Sequence, residues 1–178
     1  MEFRSFELNP NADAQERGNP EEALARKYRM SLEQAHALNQ RVVDAAAGEG
    51  LRYRLDIAKR GNTFDAHRLI HLAAAEGLQS AMKERLMAAY FVEGRAIGDR
   101  EALIELAAEV GIDPERARSA LDAGEFSDEV RADEREASEL GINGVPFFVI
   151  NRRYGVSGAQ PAELLLKALQ AGWEDTQS

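Results

Sequence analysis

Apolar positions recur three and four residues apart over most of this chain, the spacing of a helix with one buried face. Asn19 as a cap, Pro20 at the first helical position and the acids Glu21 and Glu22 predict one helix start. Ser31-Leu32-Glu33-Gln34 reads as a capping box, and Ala35, Leu38, Val42 and Ala45 mark one face of a helix running towards Gly48. A further capped helix opens at Asn62–Arg68 and ends near Gly77, with His67, Ile70, His71 and Ala74 as its predicted face. Met82, Leu86 and Ala89 stripe the stretch Leu78–Phe91. Asp99 caps a helix bearing Leu103, Leu106, Ala107 and Val110, Asp113-Pro114 and Ser127 begin two more, and Gly111, Gly124 and Gly141 close the three.

Two stretches leave the helical period. Glu2–Leu8 is an extended, aromatic-bearing run stopped by Asn9-Pro10, which predicts a strand. After Gly141 come Val145-Pro146, the apolar run Phe147–Ile150, a polar turn at 151–153 and a second short run, Tyr154–Ser157, which together predict a hairpin. Proline has no N–H for a ladder, so the backbone beside Pro146 stays open to another partner. Gly158–Pro161 opens a closing helix, with Pro161 at its first position and Leu164, Leu165, Ala168 and Leu169 as its buried stripe. Leu51, Tyr53 and Leu55 alternate without fixing the type of their segment. One strand, a long helical block, a hairpin and a closing helix indicate an α/β layer carrying a helical insertion.

Composition narrows the function classes. The 178 residues are 44% hydrophobic, enough for a sizeable core in one or two domains. Against 22 lysines and arginines stand 31 acids, a net charge of −9 with no basic cluster along the sequence, which argues against nucleic acid and anionic membrane as partners. No apolar run has the length of a membrane span and the N-terminus has no signal-peptide pattern, so a cytoplasmic location is expected. The chain contains no cysteine, which excludes disulfides and thiol catalysis by its own side chains.

The stretch Gly144-Val145-Pro146-Phe147-Phe148-Val149, a short turn, then Tyr154-Gly155-Val156-Ser157-Gly158-Ala159-Gln160, resembles the C-terminal half of the DsbA-like thioredoxin superfamily, in particular its FrnE-type branch of predicted dithiol–disulfide isomerases. Related glutathione-dependent isomerases of the 2-hydroxychromene-2-carboxylate type share the architecture. The resemblance implies a thioredoxin-like domain formed by residues 1–19 and 141–178 and interrupted by a helical subdomain, residues 20–140. It also implies a cis Val145–Pro146 bond, with Val145 offering its N–H and C=O to a substrate peptide or to glutathione; on the residues alone trans would be the ordinary reading, since only about 5–6% of X–Pro bonds are cis. In that family a run like Glu2–Leu8 is the second strand, so the first strand and the Cys-x-x-Cys helix are expected upstream of Met1, and the chain alone is expected to be inactive. With the middle strand absent, Glu2–Leu8 is expected either to pair directly with Phe147–Ile150 or to leave a gap that a second copy fills in a homodimer.

Several residues could carry chemistry. His67 and His71, four apart, have the spacing of two ligands to one metal, but Arg68 stands where a metalloprotease helix carries a glutamate base and no third ligand is placed, so packed or hydrogen-bonded histidines are the expected outcome. Asn62-Thr63-x-x-Ala66-His67-Arg68 is similar to a signature of the same family, which implies that His67 and Arg68 face the active-site cleft; the plainer reading makes Asn62 a cap and Arg68 a surface charge. Ser157 and Gln160 flank a helix N-terminus, where unpaired N–H groups favour an anion, and in the glutathione-using relatives the matching turn holds the glutamyl carboxylate. Such a turn also serves merely to start a helix. The substrate-holding set is therefore Val145, Pro146, Phe147, His67, Arg68, Ser157 and Gln160, with no catalytic residue and no metal ligand among them. Three functions follow: a thiol–disulfide oxidoreductase or isomerase lacking its cysteines and acting on a peptide or small thiol, a glutathione-dependent isomerase or transferase, and a non-catalytic peptide-binding module.

Overall fold

The computed structural model describes residues 1–14 and 18–177; residues 15–17 of the polar loop after Asn11 lie outside them. Eight helices and one hairpin make up the described secondary structure: α1 (Pro20–Tyr28), α2 (Leu32–Gly48), α3 (Phe64–Ala75), α4 (Gln79–Phe91), α5 (Arg100–Glu109), α6 (Pro114–Asp122), α7 (Ser127–Glu139), β1 (Phe147–Ile150), β2 (Tyr154–Ser157) and α8 (Ala162–Gln177). They divide into two compact units, Met1–Arg131 and Ala132–Ser178, the division falling within α7. The N-terminal segment, expected with the hairpin, thus groups with the helices.

In the first unit the helix starts follow the local signals. The Ser31 hydroxyl accepts from the Gln34 N–H at 3.1 Å while the Gln34 side chain accepts from the Ser31 N–H at 2.9 Å, a complete capping box. Asp99 and Asp113 accept in the same way at the heads of α5 and α6. The core lies among α3, α4, α5 and α6, where Leu69, Leu72, Met82, Leu103, Leu106 and Ile112 are fully buried. Burying a side chain of that size contributes about 1.5–3 kcal/mol, so this block holds most of the unit's apolar stabilisation. The segment 51–55 forms no strand; it is pinned to the end of α4 by the Arg54 N–H donating to the Phe91 carbonyl at 2.7 Å and by the Tyr53 ring stacked on Phe91 at 4.6 Å.

Three expectations need correcting. The buried arc of α3 is Ala66, Arg68, Leu69, Leu72 and Ala73, not His67, Ile70, His71 and Ala74, because the larger aliphatic residues on that helix outweigh the histidines in the contest for the core. On α2 only Ala35 and Ala46 are buried, and Leu38 and Val42 stay exposed. Glu2–Leu8 is not a strand: the sheet of the described residues contains β1 and β2 alone, and Glu2–Leu8 is not paired with Phe147–Ile150. A strand exists only when a neighbour takes its backbone groups, and here the neighbours are helices. Ser5 and Glu7 are buried and Phe3 is half-buried, while Glu2, Arg4 and Leu8 point outward. The Gln79 side-chain amide takes the place of a partner strand, accepting from the Phe3 N–H at 3.3 Å and donating to its carbonyl at 3.0 Å.

An ion-pair chain closes the α4–α5 end. Arg85 holds Glu93 with two bonds of 2.9 and 2.6 Å and Glu109 at 2.5 Å, and Arg95 holds Glu109 at 2.7 Å and Glu105 at 2.6 Å. The guanidinium of Arg85 and then that of Arg95 keep the Glu109 carboxyl below the ordinary carboxylate range. Arg118 does the same for Glu101, and Arg116 for Glu125. A carboxylate whose folded pKa is depressed stabilises the fold above its unfolded pKa, about 4.3, and loses that contribution as pH falls through the folded value. The expected result is a melting temperature that drops as pH falls below about 5, with the drop blunted in Glu109→Gln; an unchanged acid limb in that variant would remove Glu109 from the account.

The second unit is the hairpin with α8 against it. β1 and β2 pair antiparallel with Phe147 opposite Ser157 and Ile150 opposite Tyr154. Gly172 is where α8 comes closest: a Cβ there would stand 2.5 Å from Ile150 Cγ2, and the Gly172 carbonyl accepts from the Asn151 side chain at 2.6 Å. Tyr154 donates to Asp175 at 2.7 Å, fixing the far end of the same face. On α8 Gly172 is buried and Leu165, Ala168 and Asp175 are half-buried, whereas Leu164 and Leu169, expected in the stripe, are exposed. Pro161 stands one residue before the helix and its carbonyl accepts from Leu164 and Leu165.

Candidate functional site

The Val145–Pro146 peptide is cis. The Pro146 carbonyl accepts from the Gly158 N–H at 2.9 Å, which ties the start of β1 to the turn after β2. Gly158 takes a positive φ of 81°, open to glycine without strain, so this closure is available to the sequence at little cost. Phe147 lays its ring across Gly155 on the opposite strand, where a Cβ would meet the ring at 2.9 Å. A side chain at 155 would lift that ring, so the glycine sets the flatness of this face. Among the described residues no group takes the Val145 N–H or C=O, and its side chain is 50% exposed. The result is a stiff corner that presents one main-chain donor and one acceptor beside an apolar side chain.

Ser157 and Gln160 are both exposed, and the Gln160 amide donates to the Ser157 carbonyl at 2.8 Å. The turn thus spends the Gln160 donor on its own backbone.

On α3 the motif around His67 and Arg68 has its own structural work. Asn62 accepts from the Phe64 N–H at 2.8 Å as a cap, donates from its side chain to the Pro10 carbonyl at 3.3 Å, and donates from its N–H to the Asp13 carbonyl at 2.8 Å. Arg68 is 3% exposed. Its Nε donates to the Glu125 carbonyl at 2.8 Å, its Nη2 to the Ala120 and Leu121 carbonyls at 2.7 and 3.1 Å, and its Nη1 to Asp65 at 2.6 Å. Those carbonyls belong to the C-terminal turn of α6 and the loop beyond it, where a helix leaves acceptors without intrahelical donors and a cation is favoured. Arg68 is a buried clasp, not the surface charge of the plainer reading. His67 is half-buried on the flank of α3 away from the core, and His71 on that flank meets the Ser5 hydroxyl at 3.1 Å.

Sequence reasoning passed over the residues that hold the N-terminal segment. The Glu7 carboxylate is fully buried and pairs with Arg131 at 2.7 Å, and Arg131 also lies over the Phe64 ring at 4.2 Å. Glu7 and Arg131 are 124 positions apart, so no local spacing could reveal the pair.

Comparison with known proteins adds the following. The model of the DSBA-like thioredoxin domain matches residues 1–170. The fold is similar to a crystal structure described as a probable DsbA oxidoreductase from Streptomyces coelicolor, with 46% sequence identity, a TM-score of 0.90, and coverage of 96% of this chain and 74% of the other. No curated protein matches.

Proposed function

The chain belongs to the DSBA-like thioredoxin domain family, a family of thiol–disulfide oxidoreductases, and from that membership we propose that its Val145–Pro146–Phe147 corner holds an extended peptide or small thiol for disulfide exchange, in the manner of the FrnE-type branch. The observation carrying this reading is the main chain of Val145, whose N–H and C=O are not used by the described residues at an exposed position. One donor and one acceptor on a fixed backbone can pair with an extended substrate as a strand would, without regard to its side chains, which suits an enzyme acting on many disulfides. Phe147, flat on Gly155, supplies the apolar floor.

Exchange itself requires a thiolate attacking a disulfide sulfur, and none of the 178 residues is a cysteine. The chain's own part in the reaction is therefore substrate holding, and the chain by itself is expected to show no reduction of insulin disulfides. Arg68, with its guanidinium committed to four acceptors, serves as the residue that fastens α3 to the end of α6.

The test is an NMR titration with an oxidised cystine-bearing peptide. Saturable shifts at Val145, Phe147 and Phe148 are expected, and Val145→Pro, which removes the N–H, should weaken binding about five- to tenfold, the worth of one hydrogen bond. Affinity unchanged in Val145→Pro, or shifts that avoid the hairpin, would refute the reading. Binding without any turnover when a redox-competent thiol protein is supplied would favour a peptide-binding module in its place.

A further inference from the structure

The stretch between α7 and β1, residues 140–146, contains Asn143-Gly144, the one place in the chain where a glycine follows an asparagine. Asn143 is exposed. Among the described residues no group accepts from the Gly144 N–H, and a Cβ built on Gly144 would meet nothing within 4 Å, so the nitrogen and the space around it are both open. The Asn143 amide donates to the Gly141 carbonyl at 3.0 Å. That bond is exposed, and water replaces such a bond at little net cost, which leaves the side chain able to turn towards the peptide group that follows it.

None of the other asparagines offers this combination. Asn9 and Asn19 precede prolines, whose nitrogen carries no proton to lose. Asn11 precedes Ala12, whose N–H donates to the Asn9 carbonyl at 3.1 Å. Asn39 lies inside α2, where the next N–H belongs to the helical ladder. Asn62 precedes the β-branched Thr63, and its side chain holds Phe64 and Pro10. Asn151 is fixed through its own amide to the Gly172 carbonyl at 2.6 Å.

We propose that Asn143-Gly144 is a site of spontaneous covalent rearrangement of the main chain. Hydroxide removes the Gly144 amide proton, the nitrogen attacks Asn143 Cγ, and the side-chain amino group leaves as ammonia, closing a succinimide ring. Water then adds to either ring carbonyl and opens the ring, giving aspartate or isoaspartate. One water is consumed and one ammonia released, with nothing oxidised or reduced. Glycine permits the closure because, lacking a Cβ, it lets its nitrogen reach the conformation that attack requires. Both products add a negative charge, and the isoaspartyl product also inserts a methylene into the main chain two residues before Val145. The chemistry does not rest on the reading of the Val145 corner.

The experiment ages the 178-residue chain in warm, mildly alkaline buffer and follows the tryptic peptide 136–152, which carries Asn143 and Asn151 together, by mass spectrometry. The peptide is expected to gain the mass difference between an amide and a carboxyl at Asn143, faster as pH rises. It should split on chromatography into two products, of which one accepts a methyl group from an isoaspartate-specific methyltransferase. Asn143→Gln should lose the signal, because the larger ring closes far more slowly. Gly144→Ala, at a position where φ is not positive and a methyl has room, should slow conversion severalfold with the melting temperature unchanged. Asn151 is the internal reference. Conversion of Asn143 no faster than that of Asn151, an equal rate in Gly144→Ala, or a rate in the folded chain far below that of the same chain in urea would overturn the proposal.

Discussion

Arg68→Ala is expected to be the most damaging single substitution in the chain. It empties a buried position and strips donors from three backbone carbonyls, at Ala120, Leu121 and Glu125, while leaving Asp65 with Arg100 alone. Some of those acceptors keep a second donor, since Ala120 also accepts from the Glu125 N–H at 3.0 Å, so the losses do not add in full. Removing one side of a buried charged pair costs about 3–5 kcal/mol, and in a chain of this size each kcal/mol moves the melting temperature by about 2–4 °C. Thermal unfolding should therefore fall by roughly 6–20 °C. Arg68→Lys should recover only part of it, because one ammonium cannot span carbonyls on both sides of the α6 turn. An Arg68→Ala protein melting within about 2 °C of the parent would show that the clasp is replaceable by water. Peptide affinity at the hairpin, measured below the variant's melting range, separates this structural role from a direct one: it should be unchanged.

Gly98→Ala is expected to be nearly as costly for a different reason. Gly98 stands in the loop before α5, and a Cβ there would lie 2.2 Å from the Ala14 carbonyl oxygen and 3.0 Å from that of Asn62. Both obstacles are backbone, and Asn62 is itself held to Asp13 and Pro10, so nothing nearby can swing aside as a side-chain tip could. Overpacking of this kind costs about 1–3 kcal/mol, against a gain of roughly 0.4–1 kcal/mol from the lost freedom of glycine in the unfolded chain. The clash should win. Loss of stability, with faster amide exchange at residues 10–14 and at Asn62, is the expected outcome; a stabilised variant would mean that the 10–14 segment yields without resistance.

Whatever is settled within a few residues could be read along the chain. Ser31 and Gln34, Asp99 and Ala102, and Asp113 and Glu115 meet because a helix start brings them together, and the caps marked the heads of α2, α5 and α6. Phe147–Ile150 and Tyr154–Ser157 made the hairpin legible, and the residues on both sides of Pro146 carried the family resemblance. On α4, Met82, Leu86 and Ala89 recur at the helical spacing and are its buried residues.

Tertiary structure decided everything that depends on a distant partner. α3 carries apolar residues on several sides, and α4, α5 and α6 chose which of them to cover, setting Arg68 inward and His67 outward. α8 has more leucines than one face can hold, and the approach of Gly172 to Ile150 fixed the face that is buried. Glu2–Leu8 has the composition of a strand, but a strand is a relation between two backbones, and Gln79, Arg131 and His71 met this one with side chains instead. Arg85, Arg95 and Glu109 stand apart in the sequence, and only the fold gathers them into one ion-pair chain. Charge acts through space, and the linear order of residues does not contain that distance.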